Sequence, residues 1–347
     1  MTDTPTVLIR GRAAALDEAL REAAALLSTK RCPVIAGLGT CAAGAEAAAS
    51  LAEACGATLD HACSKALLSD LGAMREYGWI VATPLLARAR ADTVLLVGAG
   101  LDEFTLPPAP SLTPEATRRV LRFSPNKLLP KLGVLRALAA GRPVASGADP
   151  DGALATLAET LRAARYGVAV WSAGAMDEIE VEALCGLVSD LNATTRWAGL
   201  PLPAPGNADG VARALGSKTG FPVRVGFGRG HAEHDPWRLD AVRMVESGEA
   251  DAAVWVQAME PGPPPWTRHV PLVAVTAPAA RFAEPPEIAI TVGCPGVDHD
   301  AVLFSAEAGA LVAVRAQRQA DSPRDVPTVA TVLDGITAAL RERGGSC

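Results

Sequence analysis

The chain has 347 residues, 49% of them hydrophobic and 20% charged, a balance that excludes a disordered or collagen-like protein and supports a buried core. Its net charge of −6 argues against a sequence-independent grip on nucleic acid, which needs a basic field. The longest stretch free of charged residues, 32–45, is 14 residues, short of the roughly 20 that a membrane-spanning helix requires. Asp3 stands near the N-terminus with no basic segment ahead of a long apolar run, so no secretory leader is expected. A cytoplasmic protein partnered with neither nucleic acid nor membrane follows. Seven scattered cysteines, none spaced CxxC, read as reduced thiols rather than a disulfide framework or zinc ribbon.

Residues 13–28 carry Leu16, Leu20, Ala23 and Leu27 on one face and predict an amphipathic helix. An apolar strand at 33–36 runs into Gly37 and Gly39, an alanine-rich helix covers 42–55, and a short strand follows at 57–61. A helix near 85–90 precedes the strand 93–98; a turn at Pro107, Pro108 and Pro110 leads to a strand at 120–124. The same alternation restarts after a loop at 141–152. It gives a helix at 153–164, a strand at 167–172, a helix at 177–191 and strands at 195–202 and 223–227. A helix at 237–245, strands at 252–257 and 272–276, paired strands at 287–292 and 301–314 and a closing helix at 328–341 complete the chain. Continuous apolar strands alternating with helices predict an α/β fold with parallel sheets covered on both faces. Two doubly wound lobes, 1–150 and 151–347, are the expected organisation, the second carrying the GNADG and GRG loops.

Gly37-Leu38-Gly39-Thr40 stands where a strand turns into a helix, but Gly44 does not complete the dinucleotide fingerprint, so a tight turn accounts for it. His231 and His234, beside Glu233 and Asp235, have HxxH spacing in a loop; they suit a metal or a hydrolytic site, or are loop-packing histidines. No GxSxG surrounds Ser172, and His61 with Cys63 lacks an orienting third group. The stretch 206–252 holds most of the information. Asn207 and Gly210 suit a tight turn, and Gly226, Gly228 and Gly230 allow close backbone approach to a ligand.

The order GNADG, TGFP with a valine strand, a GRG loop with His234-Asp235-Pro236, and GEADA resembles the B subunit of formylmethanofuran dehydrogenase. The upstream LAEACGATLDH and RADTVLLVGAG agree, so the likeness runs along nearly the whole chain. It implies two Rossmann-like domains of the kind found at the centre of molybdopterin oxidoreductases. In the archaeal branch this subunit reduces carbon dioxide at a tungsten or molybdenum pterin centre and opens with cysteines for an iron–sulfur cluster. Here residues 1–31 contain no cysteine, Ala66 falls at the metal-thiolate position, and Cys63 lies three residues early. Retaining the scaffold without this site is characteristic of the methylotrophic-bacterial branch, in the formyltransferase/hydrolase complex. There the B subunit works beside an amidohydrolase-like A subunit and the formyltransferase C and D subunits, which move a formyl group from tetrahydromethanopterin to methylofuran and release formate.

The resemblance therefore implies a non-redox structural subunit without tungsten, molybdenum or an iron–sulfur cluster, the alternative being an active pterin-dependent catalytic subunit. It implies no catalytic or metal-ligating residue. The polyglutamate tail of methylofuran is the cofactor element to be held, by forked cationic donors and backbone amides. Asn207, Gly210, Arg224, Gly228, Arg229, Gly230 and His231 are the candidate binding residues, with Arg213 in the helix after GNADG facing the same groove.

Overall fold

Pro33–Gly39, PVIAGLG, is buried along its whole length, as a strand covered on both faces must be. The computed structural model describes residues 7–106, 118–278, 280–317 and 326–344. In chain order it begins with β1 (Val7–Ile9), β2 (Arg12–Ala13), α1 (Leu16–Ser28), β3 (Pro33–Gly39), α2 (Ala42–Cys55), β4 (Thr58–His61), α3 (Ser64–Tyr77) and α4 (Pro84–Arg90). Next come β5 (Thr93–Val97), β6 (Arg119–Phe123), α5 (Leu128–Ala139), α6 (Ala153–Arg162), β7 (Gly167–Trp171), α7 (Glu178–Leu191) and β8 (Trp197–Pro201). After them lie α8 (Ala208–Thr219), β9 (Val225–Gly226), β10 (Glu233–His234), α9 (Ala241–Glu246), β11 (Ala252–Gln257) and β12 (Leu272–Thr276). The last elements are β13 (Ile288–Thr291), β14 (Ala301–Ser305), β15 (Ala310–Val314) and α10 (Val329–Gly344).

The chain divides into two units, the first built from described residues within 1–64, 205–304 and 311–347, the second from those within 65–204 and 305–310. This differs from a boundary at 150, which falls inside the second unit between β5 and β7, two strands that pair in parallel. The proline-rich turn at 107–110 lies outside the described residues.

In the first unit the strand order is β10-β9-β4-β3-β11-β12-β13-β1-β2. From β4 to β13 neighbours run parallel, and the flanking strands are antiparallel. The order reverses between β3 and β11: the chain steps from β3 to β4 on one side and from β11 to β12 and β13 on the other. Helices α1, α2, α8 and α10 pack on one face through Leu27, Leu51, Val211 and Leu333, while α9 covers the other through Met244 and Val245 against Val34 and Trp255. In the second unit β6-β5-β7-β8 form an all-parallel sheet. Alternate residues face opposite ways: Leu95, Val97 and Trp171 join α5, α6 and α7, and Val94, Leu96 and Val170 face Ala87 of α4.

Two expected features change. Residues 288–291 pair with β12 and β1, and 301–314 form a separate two-stranded ribbon; the alternation shared by the two stretches does not specify which edge each joins. The helix expected at 237–245 starts only at Ala241, because Asp240 caps it by accepting the Arg243 N–H.

Candidate functional site

In open parallel sheets ligand sites form beyond the C-terminal strand ends, where strand order reverses. Here those ends are Gly39 of β3, His61 of β4 and Gln257 of β11, and the Gly206-Asn207 turn lies against them. At the end of β3 the pairing slips: Ala36 stands opposite Trp255 but Gly39 opposite Gln257. The two residues between, Gly37 and Leu38, take positive φ of 85° and 54°, a β-bulge that bends the strand end. A Cβ on Gly39 would stand 1.5 Å from Gln257 Oε1, so glycine here lets the Gln257 amide lie against the strand end.

The Gly206 backbone and the Asn207 side chain are tied back into the protein. His61 Nε2 meets the Gly206 carbonyl at 3.2 Å, and the Gly206 N–H donates to Glu260 Oε1 at 3.2 Å. Asn207 Nδ2 donates to the Thr40 carbonyl at 2.8 Å, and its Oδ1 accepts the Phe304 N–H at 2.9 Å. Asn207 sits at φ 59°, a left-handed conformation asparagine tolerates. Gly210 leaves room for it, since a Cβ there would lie 2.3 Å from Asn207 Oδ1. Arg213 in α8 stacks on the Phe304 ring at 4.9 Å.

His61 is held in one tautomer. Its Nδ1 accepts the Cys63 N–H at 2.9 Å, so Nε2 carries the proton that bonds Gly206. Burial pushes its pKa down to about 4, only partly offset by the Gly206 carbonyl. This neutral ring with both nitrogens engaged positions a loop and has no proton to exchange near neutral pH. Burial also raises the Cys63 thiol pKa, helped by the Glu260 carboxylate, which disfavours the thiolate needed for nucleophilic or ligand chemistry.

Sequence reasoning missed Asp60, a carboxylate inside the apolar strand 57–61. Asp60 is 4% exposed. Its Oδ2 accepts the Ala241 N–H at 2.9 Å, and Oδ1 lies 3.6 Å from Arg224 Nε. Burial lifts its pKa to about 6, against the pull of the Ala241 N–H, Arg224 and Ser64. Arg224 also donates to Asp240 Oδ2 at 2.5 Å, to the Pro236 carbonyl and to Ser64 Oγ at 3.3 Å. Its side chain is 13% exposed, so it braces β4, β9 and the 235–240 turn from inside and offers no free fork to a ligand.

The seven candidate binding residues fall at two ends of β4. The antiparallel pairing sets Thr58 opposite Gly226 and Leu59 opposite Val225, so Arg224 continues toward Asp60 while Phe227 and Gly228 run back past Ala57 and Gly56. The stretch 228–231 forms the tip of the β9–β10 hairpin, away from the C-terminal strand ends where Asn207 and Gly210 sit. The Gly230 N–H closes that tip by donating to Phe227 O at 2.9 Å and is not available to an anion. Arg229 and His231 point outward, 69% and 67% exposed. Arg229 Nη1 binds Glu233 Oε1 at 2.9 Å, Arg238 Nη2 binds Glu233 Oε2 at 3.3 Å, and His231 Nε2 stands 3.8 Å from Oε1. Desolvation opposes ionisation of Glu233, but Arg238 and Arg229 outweigh it and hold the carboxyl below its usual range.

His234 does not join His231. Its ring stacks on Phe221 with centroids 5.5 Å apart, and Nδ1 donates to the Val223 and Arg224 carbonyls. Among the described residues no group of three His, Cys, Asp or Glu side chains could hold a metal ion, and no helix is long and apolar enough to cross a membrane. Ala66 is 7% exposed and belongs to the core of the second unit, where a Cβ on Gly174 would stand 3.9 Å from its methyl.

No protein-family model matches the chain. It is similar to the B subunit of the formyltransferase/hydrolase complex Fhc of Methylorubrum extorquens, with 33% identity covering 98% of this chain and 99% of that protein. It is also 25% identical to the B subunit of tungsten-containing formylmethanofuran dehydrogenase 2 of Methanocaldococcus jannaschii, across 79% of this chain and 73% of that one. Among solved structures it matches a chain of the crystal structure of the M. extorquens formyltransferase/hydrolase complex FhcABCD with methylofuran. That match has a TM-score of 0.87 and 34% identity, covering 98% of this chain and 100% of the other. With such identity over the full length of both proteins, the chain belongs to the family of the formyltransferase/hydrolase complex B subunit.

Proposed function

We propose that this chain is the non-redox structural subunit of a formyltransferase/hydrolase complex, folded as two doubly wound, Rossmann-like units akin to the central domains of molybdopterin oxidoreductases. Its partners are an amidohydrolase-like A subunit, the C subunit and the formyltransferase D subunit. Transfer of the formyl group from tetrahydromethanopterin to methylofuran, and its hydrolysis to formate, take place on those partners in the cytoplasm. The single observation that carries the non-redox reading is Ala66. Where the resemblance places a metal thiolate, this chain has Ala66, a methyl group packed in an apolar core. The neighbouring thiol of Cys63 is biased toward its protonated form, and a metal–sulfur bond of about 2.3 Å does not tolerate a donor displaced by three residues. The residues present do not fit a tungsten or molybdenum pterin, which disfavours the active pterin-dependent alternative.

Methylofuran is then held at the level of the complex. Of the candidate contacts for its glutamate tail, the Arg229 guanidinium and the His231 imidazole remain outward-facing, whereas Arg224 and the Gly230 amide serve the fold. The test is to purify the chain with its partners from its native host, measure tungsten, molybdenum and iron by mass spectrometry, and assay formyl transfer and formate release. Formate release without stoichiometric metal supports the reading. A stoichiometric metal with a thiolate charge-transfer band overturns it.

A further inference from the structure

The outer edge of β8 is lined by residues 80–82, which run alongside it in parallel. The Gly199 N–H donates to the Ile80 carbonyl at 2.7 Å and the Ala82 N–H to the Gly199 carbonyl at 2.8 Å, with Val81 opposite Gly199. In a parallel bridge of this kind the N–H and C=O of the residue between those two contacts point away from the neighbouring strand. Val81 therefore turns both main-chain groups outward, and no group among the described residues bonds either. The side chains here are apolar and open: Ile80 and Val81 are each 48% exposed, and Tyr77 is 49% exposed. Tyr77, Trp79 and Ile80 line a small pocket together with Trp171, Cys185 and Val188. The Trp171 ring stacks on Trp79 with centroids 6.4 Å apart and is fixed by its Nε1–H, which donates to Asp70 Oδ1 at 2.9 Å. Trp79 Nε1, by contrast, is buried with no acceptor among the described residues, a cost that an incoming acceptor removes. Arg75 pairs with Glu76 and Arg136 with Asp190, so neither pair leaves a charge for a partner to match. An outward main-chain edge beside an apolar pocket is the arrangement that takes up an extended peptide as an added strand, the edge supplying hydrogen bonds and the pocket selecting a side chain. Three exposed side chains cover far less than the roughly 800 Å² per partner of a free-standing interface. That argues for a segment of a protein already held in the complex and against a second copy of this chain.

We propose that the edge at Val81 is the docking site for an extended, apolar segment of a neighbouring protein in the complex. The segment pairs with the Val81 N–H and C=O and seats one side chain in the pocket at Trp79. The inference rests on the reading of the chain as one component of a complex.

The experiment uses the whole complex, purified from the native host through a tag on this chain, with co-purifying partners quantified by native mass spectrometry. Val81→Pro removes a donor that β8 does not use and blocks strand pairing, and Val81→Lys puts a charge on the edge. Each should weaken retention of one partner at least about tenfold. In the wild-type complex, hydrogen exchange at the Val81 amide should be slow. Assembly of both variants at wild-type levels, or fast exchange at Val81 in the intact complex, overturns the proposal while leaving the complex reading intact. Loss of a second copy of this chain, with every other partner retained, also overturns it. Failure of the wild-type chain to recover any partner removes the complex reading and the proposal with it. Should Val81→Pro fail to fold, Val81→Lys and the exchange measurement decide the matter.

Discussion

Replacing Asp60 by asparagine should make the folded chain more sensitive to acid. Two adjacent buried groups on β4 oppose one another as pH falls. Asp60 has a folded-state pKa of about 6 against 3.8 for the free group; such a raised pKa gives stability that is present below pH 3.8 and lost as pH climbs through 6. His61 is lowered from 6.5 to about 4, so its contribution is present above pH 6.5 and lost as pH falls toward 4. At about 1.4 kcal/mol per pKa unit, each group accounts for about 3 kcal/mol, with opposite signs over nearly the same window. Asparagine keeps an acceptor for the Ala241 N–H but removes the proton uptake. Relative to the wild type, the variant should therefore lose about 2 kcal/mol between pH 7 and pH 4.5. His61→Asn should gain a comparable amount over the same interval. Urea unfolding of all three proteins at both pH values reads the differences directly. Parallel pH profiles for the wild type and Asp60→Asn would refute the assignment of a raised pKa to this carboxyl.

Arg224→Gln should cost about 3–5 kcal/mol at pH 7, because it leaves the Asp60 carboxylate buried without its cation; urea unfolding should show part of the loss returning below pH 6. Asn207→Ala removes bonds to Thr40 and Phe304 and a residue suited to its left-handed backbone, so a loss of about 2 kcal/mol is expected in the same assay. Gly167→Ala places a Cβ 2.1 Å from the Trp197 ring, whose Nε1 is bound to the Leu161 carbonyl, and should lower stability by about 3 kcal/mol or prevent folding, as read by thermal melting.

Much of the fold was legible because fully buried strands such as PVIAGLG and TVLLV leave unbroken apolar runs, and because glycine and proline mark their ends. The strands β1 and β2 and the helices α3 and α5 went unread. β1 and β2 are three and two residues long, too short for a periodicity to show, and the α3 sequence SKALLSDLGAMREY mixes small, charged and apolar residues without a clean stripe. The division of the chain was not legible for a different reason. The first unit is discontinuous, and which strand returns to which sheet is settled by pairing between residues such as Ala252 and Pro33, more than 200 positions apart. The candidate site was legible as a set of loops but not as their connections. Arg224 and Arg229 look alike in sequence, yet one is enclosed by Asp60 and Asp240 and the other faces solvent.

These connections also give a physical reason why the loops at the strand ends hold their shape. The GNADG turn is held by His61, Thr40 and Glu260, and the β9–β10 hairpin by Asp60, Arg224 and Asp240. All are bonds between protein groups, so none of these loops needs a bound ion to keep its shape. At position 66 the methyl group is buried in the core of the second unit. A loop shaped by a metal would lose its form without the ion, whereas loops braced through protein groups keep theirs in the chain alone.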